Sequence, residues 1–366
     1  LHTAYRRQRQ MCIRDSSMTT LSRRFTAALC ASAMALSATP ALANASTDVP
    51  GYPRDEFGGI RNKTSDEWGM PNQGVGPIQN NFPAASKYSK EHNGTAPTGV
   101  NDFSCKPKYK HALPIILIPG TSEDAYATWA YYGPMLAKAG LCAYTFNYNP
   151  GPDVMKALIH PNDINEAMPF NGDIKASAQF LGVFVKYVMT RTGAKKVDFV
   201  GHSQGGGALP NAYIKWYGGD KTVRHTIGLV ASNHGSTLYG VGSLIKAAGL
   251  NDKWQKMWDY ANVTADGQQT VGSDFVKELE AGGITKPGVK YTVITTRYDD
   301  VVTPYTHDMI EEPGVNNVII QDLCKKDFTD HFGMTYDPVT YQVVENMLTG
   351  RDYKQVDCKF VPPYYQ

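Results

Sequence analysis

Hydrophobic and polar positions between residues 111 and 350 follow two alternating patterns. Continuous apolar runs, typical of strands buried on both faces, occur at 113–118, 142–148, 196–201, 226–232, 291–296 and 317–322. Helical spacing of apolar residues occurs at 129–140, 176–192, 206–217 and 338–348. Because strands of this kind alternate with helices, the chain is predicted to form an α/β fold whose mostly parallel sheet carries helices on both faces.

Residues 236–287 interrupt this alternation, since they separate two predicted strands by far more than an ordinary crossover. Leu238, Val241, Ile245 and Ala248 lie at helical spacing on one side. Two interpretations remain open. The segment is either a crossover packed on the sheet, or a helical lid whose apolar face meets an apolar substrate.

The N-terminal pattern is that of an export signal. From Met18, two arginines precede an apolar stretch at 25–36, and Ala41-Leu42-Ala43 resembles a signal-peptidase site. The apolar stretch is shorter than the roughly 20 residues that a membrane-spanning helix needs. We therefore expect a signal peptide at 18–43 cleaved near Ala43, preceded at 1–17 by translated sequence upstream of the start, and a secreted or cell-envelope protein without a stable membrane anchor.

The remaining chain divides into two parts. Residues 44–104, rich in Gly, Pro, Asn and Ser, are predicted to form an irregular N-terminal arm, and residues 105–366 one catalytic domain. Formal net charge is +2 for the whole sequence, but residues 1–43 hold six arginines and one aspartate, which leaves 30 basic and 33 acidic residues. No basic run remains, so a nucleic-acid partner is not expected.

Four cysteines follow the predicted cleavage site, and their spacings fit no zinc site. An even number in an exported chain favours two disulfides, for which three connectivities exist. Proximity in sequence favours Cys105–Cys142 and Cys324–Cys358, and free buried thiols remain the alternative.

The stretch Gly201-His202-Ser203-Gln204-Gly205 carries the clearest chemistry. It fits the pattern G-x-S-x-G with a predicted strand before it and a helix after it, the context of a nucleophile elbow. A serine on such a sharp turn stands clear of the sheet, and glycines two residues away avoid a clash. Ser203 is therefore the candidate nucleophile.

A serine needs a base, and in this fold the acid and the histidine follow it in that order. Asp299 and Asp300 follow the strand at 291–296, and His331 follows the strand at 317–322. Asp299 comes first after its strand and is preferred over Asp300. His202 is a poor candidate base, because neighbouring side chains on such a turn diverge.

The oxyanion of a tetrahedral intermediate requires donors already in place. The main-chain N–H groups of Gln204, after the nucleophile, and Thr121, after the first central strand, are the candidates, and the Thr121 hydroxyl is a third. His234, Leu238 and Trp254 are expected to line the substrate pocket.

The segments ILIPGT, VDFVGHSQGG, ASNHGSTL, GSDFVKELEAGG and YDDVVTPYT, with VIIQDLC and DHFG, together resemble the secreted class 2 lipases of bacteria. They are more distantly similar to the fungal lipase B group, and the likeness covers roughly residues 105–358. It implies an α/β-hydrolase fold and hydrolysis of acylglycerols and other carboxylic esters without a cofactor or metal. It also implies Ser203, Asp299 and His331 as the triad and Thr121 and Gln204 as the oxyanion hole, and the fungal group's disulfides favour the same pairings. Pro119 replaces the histidine of the commoner His-Gly turn, and the fungal group shares this change.

The sequence thus predicts a secreted serine ester hydrolase, lipase or esterase, that works through an acyl-enzyme. Its expected partner is a lipid or small-molecule ester, including one at a lipid–water interface; no partner protein is indicated. Two alternatives remain: an acyltransferase with the same triad acting on a cell-envelope acceptor, and a catalytically inactive hydrolase fold that serves as a binding module.

Overall fold

The computed structural model describes residues 64–66, 68–148, 151–152, 167–260 and 264–363. The predicted upstream segment (1–17), the predicted signal peptide (18–43) and the first part of the predicted arm (44–63) lie outside these residues.

Ten strands and twelve helices form the described chain. The strands are β1 (Val75–Gly76), β2 (Ala96–Pro97), β3 (Ile115–Ile118), β4 (Ala143–Thr145), β5 (Gly151–Pro152), β6 (Ala167–Met168), β7 (Val197–His202), β8 (Val223–Leu229), β9 (Lys290–Thr295) and β10 (Asn316–Ile319). The α-helices span Phe82–Glu91, Ala125–Trp129, Tyr132–Lys138, Ile174–Thr192, Ala208–Trp216, Gly219–Thr222, Val241–Ala247, Asn251–Tyr260, Thr264–Gln268, Asp274–Glu280, Ile320–Leu323 and Pro338–Thr349. Short 3₁₀ turns occur at Ser203–Gly205, Tyr305–His307 and Gly333–Thr335.

Six strands form one parallel sheet in the order β10-β9-β8-β7-β3-β4. All six therefore end at the same edge, where ligand sites of open α/β sheets lie. β7 occupies a central place between β3 and β8, and His202 at its end pairs with Leu229. This order brings the loops after β3, β7 and β9 to one side of the molecule.

The core explains why these apolar runs form strands. Every residue of β3 is buried, and alternate residues face opposite sides, so Ile116 and Ile118 join one apolar cluster while Ile115 and Leu117 join another. The first cluster includes Phe180 and Phe184 of the helix Ile174–Thr192, and the second includes Val343 and Val344 of the last helix. Burying one such side chain stabilises the fold by about 1.5–3 kcal/mol. The predicted α/β-hydrolase fold class is confirmed.

The later part of the predicted arm is ordered around one helix. Phe82–Glu91 begins with the Asn81 side chain accepting from the Ala84 N–H at 2.8 Å, and a proline occupies its first turn. Ser89 donates to Asp124, and the Tyr126 hydroxyl donates to the Pro77 carbonyl at 2.7 Å. The arm is thus fastened to the helix Ala125–Trp129, directly after the β3 loop.

Among its described residues, the segment between β8 and β9 contains four helices in place of a single crossover helix. The last, Asp274–Glu280, buries Phe275, Val276 and Leu279 in the core, as the packed interpretation requires. The first, Val241–Ala247, leaves Val241 48% and Leu244 73% exposed. The segment therefore has a packed end and an exposed apolar end.

Two disulfides join Cys105 to Cys142 and Cys324 to Cys358, with Cα–Cα distances of 5.8 and 5.1 Å. These are the pairs that proximity in sequence favours. The first ties the end of the arm to the start of β4, and the second ties the segment after β10 to the C-terminal tail. Within the described residues, every helix is too short or too polar to cross a membrane.

Two predicted elements differ in detail. The helix expected at 129–140 is two short helices that meet after Trp129, and Gly140 follows the second with a φ of +79°. The strand expected at 317–322 ends at Ile319 and continues as the helical turn Ile320–Leu323.

Candidate active site

Ser203 stands at a sharp turn between β7 and the helix Ala208–Trp216. It begins a 3₁₀ turn, has a φ of +54°, and is 7% exposed. A left-handed conformation is unfavourable for a residue with a side chain, and such strain persists where the surrounding structure holds it. Both flanks are held, by pairing of β7 with β3 and β8 and by the helix that follows.

The glycines around this turn are required sterically. A Cβ on Gly201 would lie 1.7 Å from the carbonyl oxygen of Gly205. A Cβ on Gly205 would lie 2.3 Å from the carbonyl oxygens of Ile118 and Pro119. The turn is therefore pressed against itself and against the end of β3, as the sequence argument for an elbow requires.

Asp299 and His331 meet at the carboxyl edge of the sheet. His331 Nδ1 is 3.0 Å from both carboxylate oxygens of Asp299, and both side chains are buried. Asp299 Oδ1 also accepts hydrogen bonds from the main-chain N–H groups of Val301 and Val302, each at 2.8 Å. This carboxylate is thus fixed by its own turn and oriented toward the imidazole.

The neighbouring Asp300 has a different contact. Its Oδ1 accepts from the main-chain N–H of His331 at 3.4 Å, while Asp299 takes the ring nitrogen. The two consecutive aspartates therefore hold the backbone and the side chain of the same histidine.

Electrostatics favour the charged form of His331. Burial by itself would lower the pKa of His331, but the charge and hydrogen bond of Asp299, with smaller effects of Glu123 and Asp300, raise it above the ordinary 6.5. A second buried carboxyl lies behind Asp299: burial, and then the charge of Asp299, raise the pKa of Asp308 well above its usual range. Asp308 also accepts a hydrogen bond from the Thr295 hydroxyl.

Thr121 lies in the loop after β3, next to the elbow. Its hydroxyl oxygen accepts hydrogen bonds from the side-chain amides of Gln204, at 2.9 Å, and Gln269, at 2.8 Å. Carbonyls of Phe170 and Ala265 accept from the same two amide nitrogens, which fixes the orientation of each amide. With both lone pairs of the Thr121 hydroxyl occupied, its proton can be donated to a third group.

The predicted pocket residues have separate contacts. His234 Nδ1 is 2.7 Å from Glu280 Oε1, and its ring lies against His307. Trp254 donates its indole N–H to the Thr270 hydroxyl at 3.1 Å, directly after Gln269 in the chain. Leu238 is 37% exposed and has a φ of +48°. Trp254 is thus connected to the Thr121 contacts through the segment 269–270, whereas His234 faces the helix Asp274–Glu280.

A family model described as lipase (class 2) matches residues 112–344. The chain belongs to this family. The family resemblance seen in the sequence is confirmed. No curated protein matches the chain.

Two solved structures that are similar to this chain are lipases. Lipase B of Aspergillus fumigatus is 19% identical with a TM-score of 0.52, over 74% of this chain and 60% of the fungal chain. Lipase BlEst2 of Bacillus licheniformis in mature form is 14% identical, with a TM-score of 0.45 over 67% and 94%. This chain thus spans about 60% of the length of the fungal lipase.

Sequence reasoning missed two groups in this class 2 lipase. Gln269 lies 148 positions after Thr121 in the insertion, where no local pattern marks it. His202, set aside as a base, is fully buried and bonds both Glu123 and the main chain of His331. Its position before the nucleophile was visible in sequence, but its partner Glu123, 79 positions earlier, was not.

Proposed function

We propose that this class 2 lipase hydrolyses carboxylic esters through an acyl-enzyme formed on Ser203. His331 removes the Ser203 proton as the hydroxyl attacks the ester carbonyl, and then protonates the leaving alcohol. Asp299 holds the imidazole in the required tautomer and stabilises the imidazolium. Water, activated by His331, then releases the acid.

The observation that carries this proposal is the Asp299–His331 hydrogen bond beside a strained serine. The imidazole of His331 lies next to the elbow, since its ring centroid is 4.8 Å from that of His202, the residue before Ser203. A buried carboxylate bonded to the imidazole on that side is the arrangement that serine hydrolases use.

The oxyanion is assigned to the loop after β3 and to the elbow. We propose the main-chain N–H groups of Thr121 and Gln204 as donors, with the Thr121 hydroxyl as the third. The two amide donors on that hydroxyl support its assignment, because they leave its proton available. Removing one such donor costs about 3 kcal/mol in comparable sites.

The exposed apolar end of the insertion is proposed to be a lid or docking surface for lipid. Leu238, Tyr239, Val241, Leu244 and Leu250 are all exposed, and a cluster of this kind suits an apolar surface better than water. The positive φ angles of Leu238 and Tyr239, at the start of this segment, are consistent with a hinge there.

We also propose that the chain is exported after cleavage near Ala43. Its two disulfides are consistent with an oxidising, extracellular environment. The test is mass spectrometry of the protein recovered from the culture medium of a bacterial host, with an N-terminus at Asn44 expected. Retention of residues 18–43 in the recovered protein would contradict the proposal.

The decisive experiment compares wild type with Ser203→Ala on p-nitrophenyl butyrate. Loss of turnover is expected, together with one fluorophosphonate adduct on wild type and none on the variant. Ser177→Ala, another buried serine, is the matched control and should keep full activity. Equal rates for wild type and Ser203→Ala would instead favour the inactive binding module.

Product analysis separates hydrolysis from transfer. With glycerol present as an acceptor, the hydrolase is expected to release mainly butyrate, whereas an acyltransferase would form mainly butyryl glycerol. Emulsified long-chain triglyceride, compared with the soluble ester, distinguishes lipase from esterase.

A further inference from the structure

A buried pair of side chains lies behind the elbow. His202, which is 0% exposed, has its Nδ1 3.0 Å from Glu123 Oε2, and Glu123 is also buried. Its other ring nitrogen, Nε2, lies 2.9 Å from the main-chain oxygen of His331. His202 therefore connects the loop after β3 to the loop that carries the proposed catalytic base.

The contacts of His202 define its protonation. A carbonyl oxygen can only accept, so Nε2 carries a proton and donates it to His331. Burial would raise the pKa of Glu123, but the charge and hydrogen bond of His202, with the Thr128 hydroxyl at 2.9 Å, hold that pKa below its ordinary value. Glu123 Oε2 lies against Nδ1, so a hydrogen bond between two buried side chains joins the pair.

The pair also lies beneath the loop that supplies the proposed oxyanion donor. A Cβ on Gly120 would be 3.0 Å from His202 Nδ1 and 3.1 Å from the carboxyl carbon of Glu123. The main-chain N–H of Glu123 donates back to the Gly120 carbonyl at 3.4 Å. Thr121 therefore follows a glycine whose backbone rests directly on the pair.

We propose that Glu123 and His202 act as a hydrogen-bonded positioning pair for the catalytic apparatus. The pair fixes the main-chain oxygen of His331, while Asp300 holds its main-chain N–H and Asp299 its ring. Because the backbone of Gly120 packs on the pair, the pair also positions the loop that carries Thr121. This inference rests on the proposed function, because it assigns a role relative to His331 and Thr121.

The first test removes the donors of His202. His202→Leu should lower kcat on p-nitrophenyl butyrate by about 10- to 100-fold with little change in KM, the effect of a small misplacement of reacting groups. His202→Gln, whose terminal amide can still donate to the His331 carbonyl, should recover a large part of the loss. His225→Leu is the matched control: His225 is another buried histidine, bonded to the Thr292 hydroxyl at the opposite end of the sheet, and its removal should leave kcat within about twofold.

The second test is ¹⁵N NMR of the imidazole rings, which needs no activity. The charged and titratable groups against His202 are Glu123 and His331. In wild type, Nε2 of His202 should carry a hydrogen-bonded proton that exchanges slowly with water, and Glu123→Gln should shift the Nδ1 resonance. A His202 ring without a proton on Nε2 in wild type, or an unchanged kcat in His202→Leu, would overturn the proposal.

Different results would contradict the proposed ester hydrolysis and the proposed positioning role of His202. If wild type and Ser203→Ala hydrolyse the ester equally, the proposed function is wrong, while NMR still reports on the hydrogen bonds of His202. If Ser203→Ala is inactive but His202→Leu retains wild-type kcat, only the positioning role is wrong. Should His202→Leu not fold, the kcat values of His202→Gln and Glu123→Gln decide the same question. A wild-type kcat in both variants would overturn the positioning role.

Discussion

Gly201 illustrates how one residue type is dictated by a backbone contact. An added methyl group would overlap the Gly205 carbonyl, which belongs to the same turn and cannot move without displacing Ser203. The glycines of the motif G-x-S-x-G are therefore required by backbone sterics, and the serine by chemistry.

Gly201→Ala is expected to lower the free energy of unfolding by about 3 kcal/mol or more, because of overpacking against backbone, and to abolish ester hydrolysis. Urea denaturation and p-nitrophenyl butyrate turnover measure the two effects. Gly193→Ala is the control: Gly193 ends the helix Ile174–Thr192 with φ +73° and open space around its Cβ position. It should cost only about 1–2 kcal/mol and leave kcat unchanged. Similar losses in both variants would argue against a special constraint at Gly201.

The raised pKa of His331 predicts where activity declines in acid. Only the neutral imidazole can accept the serine proton, so kcat/KM should fall as pH decreases through this pKa, which lies above 6.5. Asp299→Asn removes the largest of the influences that raise it. The acidic limb should then move to lower pH, and kcat should fall by about 10⁴-fold, as when such a tautomer is lost. A pH–rate profile of both proteins checks this, and an unshifted limb would contradict the role of Asp299.

At the scale of elements, the insertion between β8 and β9 has two ends with different surroundings. Its last helix completes the core beside the helix Ala208–Trp216. Its third helix, Thr264–Gln268, ends next to Gln269, whose side chain bonds Thr121. Its first helix shows apolar side chains to solvent. One segment therefore has a packed end and an exposed apolar end, and the exposed end is the one proposed to contact lipid.

Leu244→Ser tests that contact. Since Leu244 is 73% exposed, the change should leave stability and turnover of soluble p-nitrophenyl butyrate nearly unaltered while reducing hydrolysis of emulsified triglyceride several-fold. Val75→Ser, at a comparably exposed apolar residue of β1 in the arm, is the matched control and should not change either activity. Equal activity of Leu244→Ser and wild type on the emulsion would contradict a lipid-facing role.

For the whole molecule, one disulfide ties Cys105 to the start of β4, and the other ties the C-terminal tail to the segment after β10. Each closes a loop of comparable length, with sequence separations of 37 and 34 residues. Chain entropy predicts that each stabilises the fold by about 3–4 kcal/mol.

The paired replacement Cys105→Ser with Cys142→Ser should therefore lower the free energy of unfolding by about 3–4 kcal/mol and leave KM unchanged. Denaturant unfolding with and without reductant measures the effect, because reductant should destabilise wild type more than the variant. Equal stability of wild type and variant under oxidising conditions would show that this bond is dispensable.

Much of the fold and of the candidate site follows from short-range patterns in the sequence. Apolar runs predicted the six strands of the main sheet because burial on both faces demands them, and the elbow was visible because its steric requirements fall within five residues. Asp299 and His331 were identifiable because each follows a predicted strand in the order that this fold uses.

The sheet order and register decided everything that depends on residues distant in the chain. They determine that Asp299 meets the ring of His331 while Asp300 meets its backbone, that Gln269 reaches Thr121, and that Glu123 meets His202. The sequence by itself thus determined which residues are candidates for the reactive groups and which segments form the core, since periodicity and local sterics act over a few residues. Only the tertiary structure decided which buried polar groups pair, because a hydrogen bond across 79 or 148 positions exists only once the strands beneath it are in register.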